Sequence, residues 1–157
     1  MSRKAETPSI VITVAAPAWR KHAGLVPALR RAAKRALANG GAEGGLTILL
    51  TDDERMRVLN AQFRGKDKPT DVLSFPALDG GAYLGDIAIA HGVAAREARQ
   101  SGKRLADHAA HLAVHGVLHL LGHDHRAARE ARVMERLETR ILAVLNIADP
   151  YAAGKAA

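Results

Sequence analysis

Three histidines within the run from His115 to His125 constrain this chain more than any other feature. His115 and His119 are four residues apart, so on a helix both imidazoles leave the same face, with Cβ atoms roughly 5–6 Å from each other. Gly122 predicts a helix end in the left-handed conformation, after which His125 can turn back toward the other two rings. A catalytic zinc site takes three protein ligands and leaves a fourth position for water. The spacing therefore predicts one zinc ion held by these three histidines at the end of a helix.

The spacing agrees with that of the HExxHxxGxxH zinc peptidases at every position but one. Gly116 stands where those enzymes carry the glutamate that accepts a proton from the attacking water. Loss of such a general base typically costs about 10²–10⁴-fold in rate. The sequence therefore favours a metal-dependent hydrolase of another kind, with a zincin-like metallopeptidase as an alternative.

Length, composition and charge narrow the class of protein. The chain of 157 residues predicts one domain at residues 1–150, and we expect a disordered C-terminal tail at residues 151–157. Cysteine is absent, which excludes disulfides and thiolate metal sites. We expect a cytoplasmic protein without a membrane partner, because no signal peptide or membrane span is recognisable. We also expect no small-molecule cofactor. The net charge of +7 favours nucleic acid as the partner.

Hydrophobic periodicity and turn residues predict an α+β domain of α/β-like character, with helices packed on one sheet. The predicted strands lie at 10–14, 45–50, 71–75 and 83–89, and the predicted helices lie at 19–38, 52–63, 92–100, 104–121 and 126–145. Val133, Leu137, Ile141, Val144 and Leu145 form the predicted apolar face of the last helix. The first helix carries a basic side that faces either water or a polyanion, formed by Arg30, Arg31, Lys34 and Arg35.

A basic loop follows the second predicted helix. Arg64 is the best candidate for a catalytic group outside the histidines, because a guanidinium suits the charged oxygens of a phosphoryl group. Lys66 and Lys68 are candidate nucleic-acid contacts, although simple solvation is at least as ordinary a role for them.

Other polar residues flank the predicted metal helix. His108 and His111 share the face of His115, so we predict that they line the cleft and support the ligands or relay protons; the alternative is a polar helix edge without a role. Asp124 either hydrogen-bonds a ligand ring or caps the next helix, and it is the nearest carboxylate that could replace the missing base.

Three more polar residues complete the candidates. Asp86 is a structural acid or faces the site, and the sequence leaves both roles open. His22 and His91 are interpreted as isolated surface residues.

Three motifs, taken in order, resemble the bacterial YbeY family of ribosomal RNA maturation endoribonucleases. They are RGKDKPTDVLSFP at 64–76, LGDIAI at 84–89, and the histidine-rich run at 108–125. The likeness extends over residues 10–147. It implies a small mixed, mostly parallel four-stranded sheet with about five helices around it.

The resemblance also implies an activity: a zinc-dependent, single-strand-specific endoribonuclease that acts in 16S ribosomal RNA 3′-end maturation and late ribosome quality control. On the family pattern, the zinc ligands fall on His115, His119 and His125, and the functionally important arginine falls on Arg64. The implied partners are single-stranded ribosomal RNA and the small ribosomal subunit, with a ribosome-associated GTPase and ribosomal proteins.

One position departs from the family pattern. His123 stands where tyrosine is common, and its ring could compete for the metal. Gly122 still favours His125, because His123 comes too soon after the bend to reach back. A further alternative for the whole protein is a non-catalytic ribosome assembly factor whose zinc is structural.

Overall fold

The computed structural model of the chain describes residues 9–78 and 81–152. In this part, the strands are β1 (Ile10–Val14), β2 (Gly45–Thr51), β3 (Val72–Pro76) and β4 (Tyr83–Ala90). The α-helices are α1 (Leu25–Asn39), α2 (Asp53–Arg64), α3 (His91–Gln100), α4 (Leu105–Leu120) and α5 (Ala128–Val144).

The four strands form one sheet in the order β1-β2-β4-β3. β1 pairs in parallel with β2, and β2 pairs in parallel with β4. The edge strand β3 runs antiparallel to β4. The predicted α+β fold, with its mixed and mostly parallel sheet, is therefore confirmed.

The larger core lies on one face of the sheet and surrounds α4. Alternate apolar residues of the inner strands, including Leu46, Ile48 and Ile87, point into it. α4 contacts this face and also packs against α1, α3 and α5. Small residues on α1 and α4 allow the two helix backbones to approach closely, namely Ala32, Ala33, Ala36, Ala109, Ala110 and Ala113. Helix α4 is thus held on several sides, which fixes the direction in which its C-terminal end points.

The opposite face of the sheet carries α2 over a smaller apolar cluster around Met56 and Ala88, and α3 contacts both α2 and α4. Asp53 in the first turn of α2 joins the two helices: its carboxylate accepts a hydrogen bond from the Val93 backbone N–H at 3.0 Å. Arg96 lies 3.2 Å from the same carboxylate. These contacts fix the end of α2 and the start of α3 relative to each other.

The first predicted helix begins later than expected. Pro17–Lys21 is a 3-10 helix, and α1 starts only at Leu25. Gly24 between them has φ +78°, a left-handed conformation that interrupts a right-handed helix. The indole of Trp19 is 1% exposed and donates to the Thr51 carbonyl at 2.8 Å. The buried Trp19 ring is therefore carried by the separate 3-10 helix and not by α1.

The C-terminal end also differs from expectation. The predicted tail at residues 151–157 cannot begin at Tyr151, because the phenol hydroxyl of Tyr151 donates to the buried carboxylate of Glu138. Residues 153–157 of that predicted tail lie outside the described residues. None of the helices in the described ranges is long and apolar enough to cross a membrane.

Candidate metal centre and its cleft

The end of α4 brings the three predicted metal ligands together. His115 and His119 lie in its last turns, and the chain reverses at Gly122, whose φ is +98°. The Gly122 N–H donates to the His119 carbonyl at 3.0 Å, and the His123 N–H donates to the Leu118 carbonyl at 3.0 Å. This is the hydrogen-bonding pattern of a helix that ends in a left-handed residue. The reversal predicted from glycine is therefore present, and it carries His125 back to the helix end.

The three imidazoles converge on one point. His119 Nε2 lies 3.1 Å from His115 Nε2 and 3.1 Å from His125 Nδ1. The three candidate ligand atoms all lie within 4.8 Å of one another. Zn–N bonds of about 2.0–2.1 Å in tetrahedral geometry place two nitrogens about 3.4 Å apart, so these separations suit a single ion. His123 lines the cleft without joining the group.

The electrostatics of the group also suit a cation. Burial lowers the pKa of His119, the neighbouring His115 and His125 act in the same direction, and the resulting pKa is about 4. A neutral imidazole keeps a lone pair for a metal, whereas an imidazolium does not. The ring at the centre of the group is therefore ready to coordinate at neutral pH.

Glu138 of α5 supports the group from behind. Its side chain is fully buried, and its Oε1 lies 2.5 Å from His115 Nδ1. Its Oε2 lies 2.9 Å from His111 Nε2 and also accepts from the Tyr151 hydroxyl. Burial raises the pKa of Glu138, but hydrogen bonds from His111, His115 and Tyr151 outweigh it and bring the pKa to about 2. An ionised Glu138 holds the proton of His115 on Nδ1, which leaves Nε2 free for a metal.

Sequence reasoning missed Glu138 because the predicted apolar face of α5 only partly coincides with the buried one. Ile141 is buried and Leu137 and Leu145 pack against the core, whereas Val133 and Val144 are 39% and 55% exposed. The buried residues of this helix are Met134, Glu138, Ile141 and Leu142. A carboxylate four residues from Met134 and three from Ile141 was the available signal, since these spacings share one helix face.

His108 and His111 do not line the cleft, so that part of their predicted role is wrong. His111 contacts Glu138, and His108 Nε2 lies 2.9 Å from Glu97 Oε1. The Nδ1 atoms of both rings are buried without a hydrogen-bond partner in the described part of the chain. These two histidines therefore support the site only indirectly: His111 contacts Glu138, and His108 contacts Glu97.

Asp124 lines the cleft, where it organises the local turn. Its Oδ1 accepts from the backbone N–H groups of His125 at 2.7 Å and Arg126 at 3.2 Å. These bonds lower the pKa of Asp124, with the His125 N–H as the largest favourable contribution. The predicted cap of the next helix is wrong, because α5 starts at Ala128. Asp124 fixes the backbone of a candidate ligand, and among the described residues its carboxylate bonds to backbone N–H groups and not to a ring nitrogen.

The cleft beside the histidines has a volume of ≈ 900 Å³ and a cationic wall. Arg64, Lys66 and Lys68 all line it. Asn60 holds this loop by donating to the Lys68 carbonyl at 2.8 Å, and Arg57 forms a bidentate pair with Asp67 at 2.8 and 3.2 Å. Within residues 9–78 and 81–152, no carboxylate forms an ion pair with Arg64, so its guanidinium is available to an anionic ligand.

Gly116 faces the sheet and not the cleft. A Cβ at this position would lie 2.8 Å from Ile87 Cγ2 and 3.0 Å from Ile87 Cδ1. A glutamate here would collide with β4 and could not reach a water at the metal centre. The missing peptidase base is thus explained by packing, which argues against a peptidase.

Asp71 and Glu97 contribute an acidic wall to the same cleft. With His108 they form a second group whose candidate ligand atoms lie within 4.8 Å of one another. Sequence reasoning did not select Asp71 or Glu97, because Asp71 directly precedes β3 and Glu97 lies in α3, and no local spacing links them.

Three other polar residues lie away from this cleft wall. Asp86 accepts a hydrogen bond from the Tyr83 hydroxyl and is not among the lining residues. The expectation that His22 and His91 are isolated is wrong, because their Nε2 atoms lie 3.1 Å apart.

Comparison with known proteins gives consistent matches. The family model described as "Endoribonuclease YbeY" matches residues 20–146. A relative of that name from Alkalilimnicola ehrlichii is 55% identical over 85% of this chain and 86% of its own length. Another, from Rhodopseudomonas palustris strain HaA2, is 48% identical over 92% of this chain and 82% of its own length.

A solved structure shares the fold. The solution structure of TM1509 from Thermotoga maritima superimposes with a TM-score of 0.60 at 22% identity. The match covers 87% of this chain and 91% of that protein. At this identity the likeness supports the α+β architecture alone.

Proposed function

Because this chain belongs to the endoribonuclease YbeY family and is an endoribonuclease, we propose that it cuts RNA at the His115, His119 and His125 centre with one zinc ion. The observation that carries the proposal is the convergence of three ring nitrogens in the cleft that the Arg64 guanidinium also lines. A zinc ion bound there would supply Lewis acidity, which polarises a phosphate oxygen and makes a water molecule a better nucleophile.

The side chains of the cleft supply the remaining parts of the reaction. Arg64 offers two parallel N–H donors to the non-bridging oxygens of the scissile phosphate, where negative charge builds in the transition state. Lys66 and Lys68 hold neighbouring phosphates and so set the position of the strand. Glu138 keeps His115 in the tautomer that binds metal.

The proposed substrate is single-stranded ribosomal RNA, and the proposed role is maturation of the 16S 3′ end and late ribosome quality control in the cytoplasm. Two observations support this role: the family likeness and the cationic cleft wall, which suits a phosphate backbone. The proposed partners are the small ribosomal subunit, a ribosome-associated GTPase and ribosomal proteins. Accumulation of 3′-extended 16S precursor in cells that lack the protein would be the expected result, and normal 3′ ends would contradict this role.

The chemistry is tested by cleavage of a single-stranded RNA with chelator-treated protein before and after zinc is restored. We expect activity only with metal, and a loss of about 10²-fold or more for Arg64→Ala with metal present. Arg55→Ala, which removes an exposed arginine of α2 outside the cleft, is the matched control. Full activity without metal, or without Arg64, would reject the mechanism.

The structural-zinc alternative predicts a different outcome for His115→Ala. In that case the variant would lose thermal stability and ribosome association together, and the purified wild-type protein would leave RNA intact. A catalytic centre predicts a folded variant that still binds RNA but does not cut it.

A further inference from the structure

Two carboxyl groups lie in the same cleft as the three histidines, whose expected function is to hold the metal that activates the attacking oxygen. Asp71 and Glu97 both line this cleft. The side chain of Glu97 is 37% exposed, whereas that of His108 beside it is 11% exposed. A molecule in the cleft can therefore reach Glu97, and His108 lies behind it.

The position of each carboxyl group is fixed by the fold. The Asp71 Oδ1 atom accepts from the Val72 N–H at 2.7 Å, and the Asp71 carbonyl accepts from the Ala90 N–H at 3.0 Å. Glu97 Oε1 lies 2.9 Å from His108 Nε2. Carboxylate oxygens of Asp71 and Glu97 lie within 4.8 Å of each other. Two ionised carboxylates this close repel each other, which favours a proton on one of them.

The surroundings favour retention of this proton at neutral pH. Burial raises the pKa of Glu97, the neighbouring Asp71 raises it further, and the result is about 7 despite the opposing charge of Arg96. Burial lowers the pKa of His108 to about 4, with His111 acting in the same direction, so the ring behind Glu97 is neutral. The charged and titratable groups around the pair are Arg96 on α3, Lys103 in the turn after it, His108 and His111 on α4, and the cleft residues Arg64, Lys66, Lys68, Asp124 and Arg126.

We propose that Glu97, paired with Asp71, is the catalytic acid that protonates the leaving ribose oxygen when the phosphodiester is cut. Asp71 and His108 are positioning residues that hold the Glu97 carboxyl group. The attacking hydroxyl oxygen forms a new P–O bond and releases its proton to solvent, the bond from phosphorus to the leaving ribose oxygen breaks, and the Glu97 proton moves to that oxygen. Solvent then returns a proton to the pair. The inference rests on the proposed function, because it needs an RNA phosphodiester in this cleft.

The test compares two RNA oligonucleotides that differ in one atom. In the second, sulfur replaces the bridging oxygen that leaves at the cleaved linkage, and a thiolate departs without needing a proton. For the zinc-loaded enzyme, we expect Glu97→Gln to cut the oxygen substrate about 10²–10⁴-fold more slowly than wild type. We expect the same variant to cut the sulfur substrate within a few-fold of wild type, and Asp71→Asn to show the same pattern more weakly.

The pH profile gives a second readout that a structural role would not produce. A proton donor must be protonated, so the wild-type rate on the oxygen substrate should decline as pH rises through about 7. The sulfur substrate should lack this decline. Glu54→Gln is the matched control, because Glu54 is an exposed acid on α2 that pairs with Arg57 outside this cleft.

Other outcomes separate the inference from the proposed function. Equal slowing of both substrates by Glu97→Gln would overturn the acid role alone. Binding of two metal ions per chain, with one lost in Glu97→Gln, would overturn it in favour of a second metal site. Wild-type protein that cuts neither substrate would overturn the proposed function together with this inference.

Discussion

Single side chains in this protein obtain their roles from partners far along the chain. Glu138 is the clearest case, because its carboxylate is fully buried and shared among His111, His115 and Tyr151. A buried carboxylate is tolerated only when donors surround it, and here the donors connect α4, α5 and the C-terminal turn. The metal centre thus depends on the packing of α5, although α5 contributes none of the three candidate ligands.

Glu138→Gln should weaken zinc binding by about 10–100-fold, as is typical when the partner of a metal-bound histidine is removed. The amide keeps the shape of the side chain but no longer favours a proton on His115 Nδ1. The measurement is competition for zinc against a chelator of known affinity. Glu130→Gln, an exposed acid in the first turn of the same helix, should leave the zinc affinity unchanged. Equal zinc affinities for the wild type and both variants would show that Glu138 does not strengthen zinc binding by His115.

Among the helices and strands, α4 accounts both for the histidines of the metal centre and for the absence of a glutamate at position 116. The helix presents histidines at its C-terminal end, and it presses Gly116 against Ile87 of β4. Ser74 of β3 donates to the Gly116 carbonyl at 3.0 Å, which adds a polar contact to the same interface. Because this helix approaches the sheet so closely, a side chain at position 116 would fit only if Ile87 moved.

Gly116→Ala should lower the free energy of unfolding by roughly 1 kcal/mol. Overpacking against Ile87 costs about 1–3 kcal/mol, and the better helix propensity of alanine returns about 1 kcal/mol. In an Ile87→Ala background, Gly116→Ala should instead raise the free energy of unfolding. The space beside position 116 is then vacant, so only the better helix propensity of alanine contributes. Urea unfolding of the four proteins measures this cycle. The same loss in both backgrounds would mean that Ile87 is not the obstacle.

The elements also show how far sequence reasoning reaches. The histidine spacing and Gly122 are local features, so they predicted the end of α4 and the convergence of three rings. Glu138, Asp71 and Glu97 could not be found in this way, because their contacts depend on how α5, β3 and α3 pack on α4. Strand positions were predictable for the same reason as the helix end: alternation and turn residues are properties of neighbours in the chain.

For the whole molecule, the net charge of +7 and the cationic wall of the cleft should govern RNA binding together. Neutralising phosphates releases counterions, so binding weakens as salt rises. The basic side of α1 offers a second cationic surface, because Arg31, Lys34 and Arg35 are all exposed. The question is which of the two surfaces the RNA strand follows.

Removing Lys66 and Lys68 together by alanine substitution should reduce the slope of log K against log salt by about 1.4, because each phosphate contact on a single strand contributes about 0.7. Fluorescence anisotropy of a labelled oligonucleotide at several salt concentrations gives the slope. Arg31→Ala with Lys34→Ala removes the same charge from α1 and should leave the slope nearly unchanged. A comparable reduction from the α1 pair would place RNA on that helix as well.

The burial of Trp19 has a practical consequence for all of these measurements. It is the single tryptophan of the chain, it is 1% exposed, and its ring packs edge-on against His91 at a centroid distance of 5.0 Å. Its fluorescence emission will shift to longer wavelength when water reaches the indole. The protein therefore carries its own optical reporter of folding, which needs no dye and reads a position outside the residues that line the cleft.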